Sequence, residues 1–142
     1  MDSTIVKSAN TVSMFCRMQM KRRMDIPIRP SEMGVLIFIH ETAKQVTPVE
    51  ISRYFNIKKP SVTAMLKTLI AEDYLEKKPS EEDRRSYALT CTDKGNALVN
   101  ATFEDYHETM RTLKEGMGED KFNTLMDLLD QANRVLGGEV QS

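Results

Sequence analysis

Apolar side chains recur at helical spacing over residues 4–24, where Val6, Ala9, Val12, Phe15 or Cys16, and Gln19 or Met20 share one side. Asp2 or Ser3 can cap this first helix. Pro27 and Pro30 end it, because proline lacks an N–H and restricts the residue before it. A second helix is predicted over residues 31–42, with Met33, Leu36, Ile37 and His40 on one side. Thr47-Pro48-Val49-Glu50 is a full start signal, with a Thr cap, Pro at the first helical position and Glu placed to close a capping box. The helix it opens is short and ends near Phe55, with Ile51 and Phe55 turned inward.

Asn56-Ile57-Lys58-Lys59 is long enough only for a turn, and Pro60 starts a fourth helix as Pro48 starts the third. Val62, Leu66, Leu69 and Ile70 form its apolar side. Ser61, Thr63, Ala64, Lys67 and Thr68 form a second side that is small, hydroxylic and basic. After Asp73 the period changes to two, which predicts strands over residues 74–78 and 86–92, with Tyr87, Leu89 and Cys91 inward. The charged segment over residues 79–85 is the hairpin tip. Thr92 can cap a fifth helix, with Asp93 favoured in its first turn. Its stripe is Val99, Phe103, Tyr106, Met110 and Leu113, and Gly116-Met117-Gly118 breaks it. A sixth helix carries Phe122, Leu125, Leu128 or Leu129, Ala132 and Leu136, and stops at Gly137-Gly138. The fold class is therefore mainly α with a small antiparallel β-hairpin.

The 142 residues suit one domain, or one domain with appended helices. No apolar run approaches the roughly 20 residues that span a bilayer, and residues 1–24 lack the pattern of a secretory leader. Two cysteines far apart, Cys16 and Cys91, fit a reduced, cytoplasmic chain. The net charge of −1 is unevenly spread. Residues 1–94 hold 16 Lys/Arg against 12 Asp/Glu, or +4, and residues 95–142 hold 4 against 9, or −5. A nucleic-acid surface belongs in the first two thirds.

That region holds a short helix, a tight turn, a polar-faced helix and a charged hairpin. A helix that reads DNA buries one face and presents another, and short side chains let its backbone approach the major-groove floor. Ser61, Thr63, Lys67 and Thr68 supply that face. Arg53, Lys58 and Lys59 suit phosphates. Arg84 and Arg85 at the hairpin tip suit a narrow minor groove, with Asp83 orienting the Arg85 guanidinium. The sequence has no glycine-rich phosphate loop, nucleophile signature or metal cluster, so no enzyme and no cofactor is expected.

Residues 28–99 resemble the MarR family of winged helix-turn-helix regulators. Val62-Thr63-Ala64-Met65-Leu66-Lys67-Thr68-Leu69 is similar to the family's reading helix, Glu82-Asp83-Arg84-Arg85 to its wing signature, and Thr92-Asp93-Lys94-Gly95 to the opening of its fifth helix. The resemblance implies one MarR-like unit over residues 1–142, with a winged DNA-binding region at about 30–95 and dimerisation helices at about 1–25 and 96–138. It implies a homodimer on a palindromic operator of double-stranded DNA, acting as a repressor relieved by a small phenolic or other anionic ligand, or by cysteine oxidation. Two residues depart from the family pattern: Asp73 stands where Gly is frequent, and Cys91 where Leu is usual. Asp tolerates the left-handed conformation that the turn needs. Cys91 is then a small buried hydrophobe.

Met14, Met18, Met20, Met24 and Met33 fall near the junction of the first two helices. Methionine either fills core gaps or lines adaptable binding walls. On the second reading Arg17, Met18, Lys21 and Met33 would line the effector site, with Arg17, Lys21 or Arg29 as its cation. Cys16, beside Arg17, Lys21 and Arg22, is either a packing residue or a redox sensor. His40 and His107 have no ligand spacing, so no metal site is expected. The alternative to a DNA-binding regulator is a winged-helix module for protein contacts, which would carry apolar anchors on the fourth helix.

Overall fold

The computed structural model describes residues 2–20, 25–42, 44–82 and 84–138. Among these the chain forms α1 (Ser3–Met20), α2 (Pro30–Glu41), α3 (Pro48–Phe55), α4 (Lys59–Ala71), β1 (Leu75–Pro79), β2 (Tyr87–Cys91), α5 (Asp93–Tyr106), α6 (Glu108–Met117) and α7 (Glu119–Gly137). The fold is mainly helical with one antiparallel hairpin, as the periodicity predicts. Element ends move by a residue or two: α4 begins at Lys59 and β1 at Leu75.

The core lies between α2, α3, α4, the hairpin and the start of α5. Met33, Leu36, Ile51, Leu66, Leu69, Leu75, Leu89 and Val99 are all closed off from solvent. α2 is the central helix. Besides Met33, Leu36 and Ile37 it buries Val35 and Ile39, so more than one side of it is covered. Its start carries a cap that sequence reading missed: the Arg29 N–H donates to Glu32 Oε1 at 2.9 Å, holding that carboxylate inward. At α3 the Thr47 hydroxyl oxygen accepts from the Glu50 N–H at 3.3 Å, as expected. The Glu50 carboxylate meets the Thr47 hydroxyl, not the Thr47 N–H, so only half of the capping box closes. Asn56 then turns left-handed, at φ 53°, to aim α4 across α3.

Two features depart from the sequence reading. Val46 forms a bridge to Leu89, whose N–H donates to the Val46 carbonyl at 2.8 Å, so β2 is flanked on both edges. Tyr87, Leu89 and Cys91 all pack on the core, as the alternation predicts, and the small Ala88 between them is buried as well. The expected single helix from Thr92 to Gly116 is two helices, parted at His107 (φ −99°, ψ 5°). There the His107 ring nitrogen Nδ1 lies 2.8 Å from the Phe103 carbonyl and competes for the oxygen that its own N–H also uses, a recognised cause of helix kinks. Arg111 spans the break to Glu104 at 2.6 Å.

Thr92-Asp93-Lys94-Gly95 locks α5 onto the end of α4. The Thr92 hydroxyl donates to the Asp73 carbonyl at 2.6 Å and accepts from the Gly95 N–H at 3.0 Å. Lys94 Nζ donates to the Glu72 carbonyl at 2.7 Å. A Cβ at position 95 would sit 2.2 Å from the Tyr74 carbonyl oxygen, so only glycine fits. α1 and α7 leave apolar side chains uncovered: Ile5, Val12, Met14 and Met18 on the first, Leu128, Val135 and Leu136 on the second.

Candidate nucleic-acid interface

α4 is anchored by Val62, Leu66 and Leu69, and the turn at Asn56 brings it across α3. With its anchor fixed, the rest of the helix is determined at about 100° per residue. Ala64 and Lys67 point most directly outward. Ser61 and Thr68 fall on one flank and Thr63 on the other. All five are exposed. The Thr68 hydroxyl donates to the Ala64 carbonyl at 3.2 Å, which leaves its oxygen to accept and its methyl to pack. Lys58 occupies the position before α4 and Lys59 its first turn, both exposed, and Arg53 is exposed on α3. The helix thus offers a small polar face with cations at its leading end.

In the hairpin, Leu75 pairs with Cys91 and Pro79 with Tyr87. The Ser80 N–H donates to the Ser86 carbonyl at 3.4 Å and closes the tip. Lys77 Nζ lies 4.1 Å from the centre of the Tyr87 ring, which stiffens the stem. Arg84 and Arg85 are exposed in the turn, and Asp83 lies outside the described residues. α4 and the hairpin are held in one unit because α4 packs on β1 and β2 packs on α2.

Among the described residues, those expected to line an effector site fall in different settings. Arg17 and Met18 are exposed on α1, and Lys21 lies outside the described residues. Met33 is wholly buried in the winged core, where the Thr102 hydroxyl meets its sulfur at 3.8 Å. It fills a core gap instead of lining a pocket wall, because α2 is central. A cleft of about 490 Å³ lies instead between the end of α3 and the end of α7. Tyr54, Phe55 and Asn56 line one side, Asn133 and Arg134 the other. The Tyr54 ring stacks on Phe38 with centroids 4.4 Å apart, yet the side chain stays largely exposed. Arg134 pairs with Asp130 at 2.6 Å. Sequence reading missed this cleft because its walls lie far apart in the chain, 78 residues between Asn56 and Arg134.

Cys91 is half-buried with Sγ 3.8 Å from the Leu36 carbonyl, and burial pushes its thiol up to about 11. Cys16 is exposed. His40 Nδ1 meets Asn96 Oδ1 at 2.8 Å and joins α2 to α5. Among the described residues, no three His, Cys, Asp or Glu side chains gather as metal ligands, and no helix is long and apolar enough to cross a membrane.

The family profile for MarR matches residues 26–86, which run from the start of the winged unit to the hairpin tip. The chain is similar to the MarR family over these 61 of its 142 residues. An HTH-type transcriptional regulator of Staphylococcus aureus is 28% identical over 107 residues, covering 72% of this chain and 73% of its own. Among solved structures, a MarR/EmrR family transcriptional regulator from Acinetobacter sp. ADP1 superposes with a TM-score of 0.77 at 19% identity, covering 96% of this chain and 98% of its own. A mutant of MarR from E. coli complexed with operator DNA superposes with a TM-score of 0.71 at 22% identity, covering 93% and 99%. The relative and the Acinetobacter structure are both named as transcriptional regulators.

Proposed function

We propose that this protein is a transcriptional regulator of the MarR family and not an enzyme: a homodimeric repressor that binds a palindromic operator in double-stranded DNA. The observation that carries the reading is the bare outward face of α4, where Ser61, Thr63, Lys67 and Thr68 stand exposed beside a hairpin tip that presents Arg84 and Arg85. On this reading α4 enters the major groove, the tip enters the minor groove with Asp83 orienting Arg85, and Arg53, Lys58 and Lys59 meet phosphates. The operator complex of the superposed E. coli MarR mutant supports the same partner. The uncovered apolar sides of α1 and α7 support a second copy. Residues 1–142 then act as one unit, with the winged region at about 30–95 and the dimerising helices outside it.

Relief by a small anionic or phenolic ligand belongs to the same proposal, with its seat moved from the methionine junction to the cleft between α3 and α7. That cleft offers an exposed aromatic ring, two carboxamides and a guanidinium that pairs with the Asp130 carboxylate in the same lining. It joins the reading unit to a dimer helix. A ligand there changes DNA affinity only by as much as it distinguishes the two arrangements of those parts.

The test is selection of bound duplexes from a random library and from genomic fragments. The expected product is a two-fold sequence with half-sites separated by about one helical turn, roughly 10–10.5 base pairs. A bound pool that matches the unselected pool overturns the reading.

A further inference from the structure

Arg29 suggests itself from sequence as a cation for an effector, but the fold places it beside the reading helix. A cleft of about 480 Å³ runs between the start of α2 and α4. Arg29 and Ser31 form one wall, and Ser61, Ala64 and Thr68 form the other, with the half-buried Ile57 and Met65 between them. Arg29, Ser31, Ser61, Ala64 and Thr68 are all exposed. The single carboxylate of the lining, Glu32, is 5% exposed and held inward by the Arg29 N–H. The lip of the cleft next to α4 is therefore left to a guanidinium and a hydroxyl.

We infer that Arg29, assisted by Ser31, is a phosphate clamp: it grips the DNA strand that borders the major groove on the Ser61 and Thr68 flank of α4. The inference rests on the proposed reading of α4. A helix with its side chains is about 10–12 Å across, and the major groove is about 12 Å wide. A helix seated in that groove fills it from wall to wall, so whatever lies beside its flank meets sugar and phosphate. On this flank the neighbour is the start of α2, and the cation it carries is Arg29. An arginine fork grips a phosphodiester by two parallel hydrogen bonds, which fixes position as well as attraction. The clamp would set the depth and roll of α4. Ser61 and Thr68 line the same cleft, so their reach to base edges would depend on it. Thr63, on the opposite flank, would not.

The test measures binding of the full chain to a library-selected operator and to a random-sequence duplex, across a range of salt. Arg29→Gln should weaken both, roughly tenfold or more, and should lower the salt slope by about one per bound copy. Arg29→Lys should keep the slope and lose part of the affinity, because a point charge replaces the fork. Ser31→Ala should weaken both duplexes by a smaller factor. Lys114→Gln, on α6, controls for the change in net charge and should leave the slope as it is. Melting of each variant separates loss of contact from loss of fold. An unchanged slope in Arg29→Gln, while the parent binds, overturns the clamp. So does an equal drop in Lys114→Gln. If Arg29→Gln fails to fold, an unchanged affinity in Ser31→Ala together with an unchanged affinity in Arg29→Lys overturns it. Inorganic phosphate at matched ionic strength is the remaining arm: if it raises the melting temperature of the parent but not of Arg29→Gln, the cleft is a free-anion site and the clamp is wrong. A parent that binds neither duplex overturns the DNA reading itself, an outcome distinct from all of these.

Discussion

The Tyr74 N–H donates to the Leu69 carbonyl at 2.9 Å, and between them Asp73 turns left-handed at φ 64°. With the Asp73 N–H on the Ile70 carbonyl at 3.0 Å, this is the paired closure that ends a helix and satisfies its last carbonyls. It also launches β1, so the aim of the wing relative to α4 depends on one non-glycine residue in a conformation that favours glycine. Asp73→Gly should remove that strain and stabilise the fold by about 0.5–1 kcal/mol. Denaturant unfolding checks it. DNA affinity should not change, since the turn keeps its shape.

The two thiols should differ sharply. Cys91 holds its proton up to about 11, against an ordinary 9.0, because burial disfavours the thiolate. A thiol-reactive dye at mildly alkaline pH should label Cys16, exposed in the single chain, before Cys91, which should react only as the protein unfolds. The raised value also carries a sign for stability. The neutral thiol favours the fold, so its contribution is complete below pH 9 and fades as pH climbs toward 11. Cys91→Val should lose stability less steeply than the parent over that window.

The winged unit was legible because its signals are local. Thr47-Pro48 and Lys59-Pro60 mark helix starts whatever surrounds them, and the alternation after Asp73 marks the hairpin. The left-handed turn at Asp73 was legible through the resemblance, which puts a frequent glycine at that position. The bridge from Val46 to Leu89 was not, because a single residue paired across more than forty positions leaves no periodic trace. Nor was the break at His107. Phe103, Tyr106, Met110 and Leu113 keep their spacing through it, and the kink comes from a ring that returns to the preceding turn. Met33 was open to two readings, core or pocket, and only the central place of α2 decides between them. The exposed face of α4 followed directly from its buried face. The cleft at Tyr54 and Arg134 depends on where α7 ends in space, which the spacing of its leucines does not encode.

Within the proposed interface, sequence preference and bulk affinity should separate. Lys58→Ala or Lys59→Ala should weaken binding to every duplex and lower the salt slope by roughly one per lost phosphate contact. Thr63→Ala or Thr68→Ala should instead change which duplexes are preferred, at roughly 1–3 kcal/mol per lost base contact. Repeated library selection with each variant reads this out. Equal losses on selected and random DNA for the threonine variants would remove them from the reading face.

At the hairpin tip, Arg85→Ala should weaken operator binding while the melting temperature stays nearly constant, since residue 85 is exposed and outside both strands. Arg84→Ala should act in the same direction. Asp83→Ala should cost less than Arg85→Ala, because on the proposed reading it would remove an orienting partner and leave the cation. Fluorescence anisotropy at near-physiological salt is the measurement. Parent-like binding by Arg85→Ala would take the tip out of the minor groove.

The association of two copies can be tested at the helix sides left bare. Val12 and Ile5 on α1 are 61% and 65% exposed, and Leu128 and Val135 on α7 are 58% and 73% exposed. Burying one such side chain is worth about 1.5–3 kcal/mol. A two-fold interface repeats every contact, so each side chain counts twice. Light scattering at micromolar concentration should therefore give twice the chain mass of 16.2 kDa for the parent. Leu128→Asp combined with Val135→Asp places four carboxylates in the dimer where apolar surface met, and should shift the mass to that of a single chain. The core at Leu36, Leu66 and Leu89 involves neither position, so the winged unit should keep its fold. Operator affinity should nonetheless fall steeply, because two half-sites are no longer held by one molecule. A parent that scatters only as a single chain would refute the dimer, and a double variant that stays dimeric would move the interface away from α7.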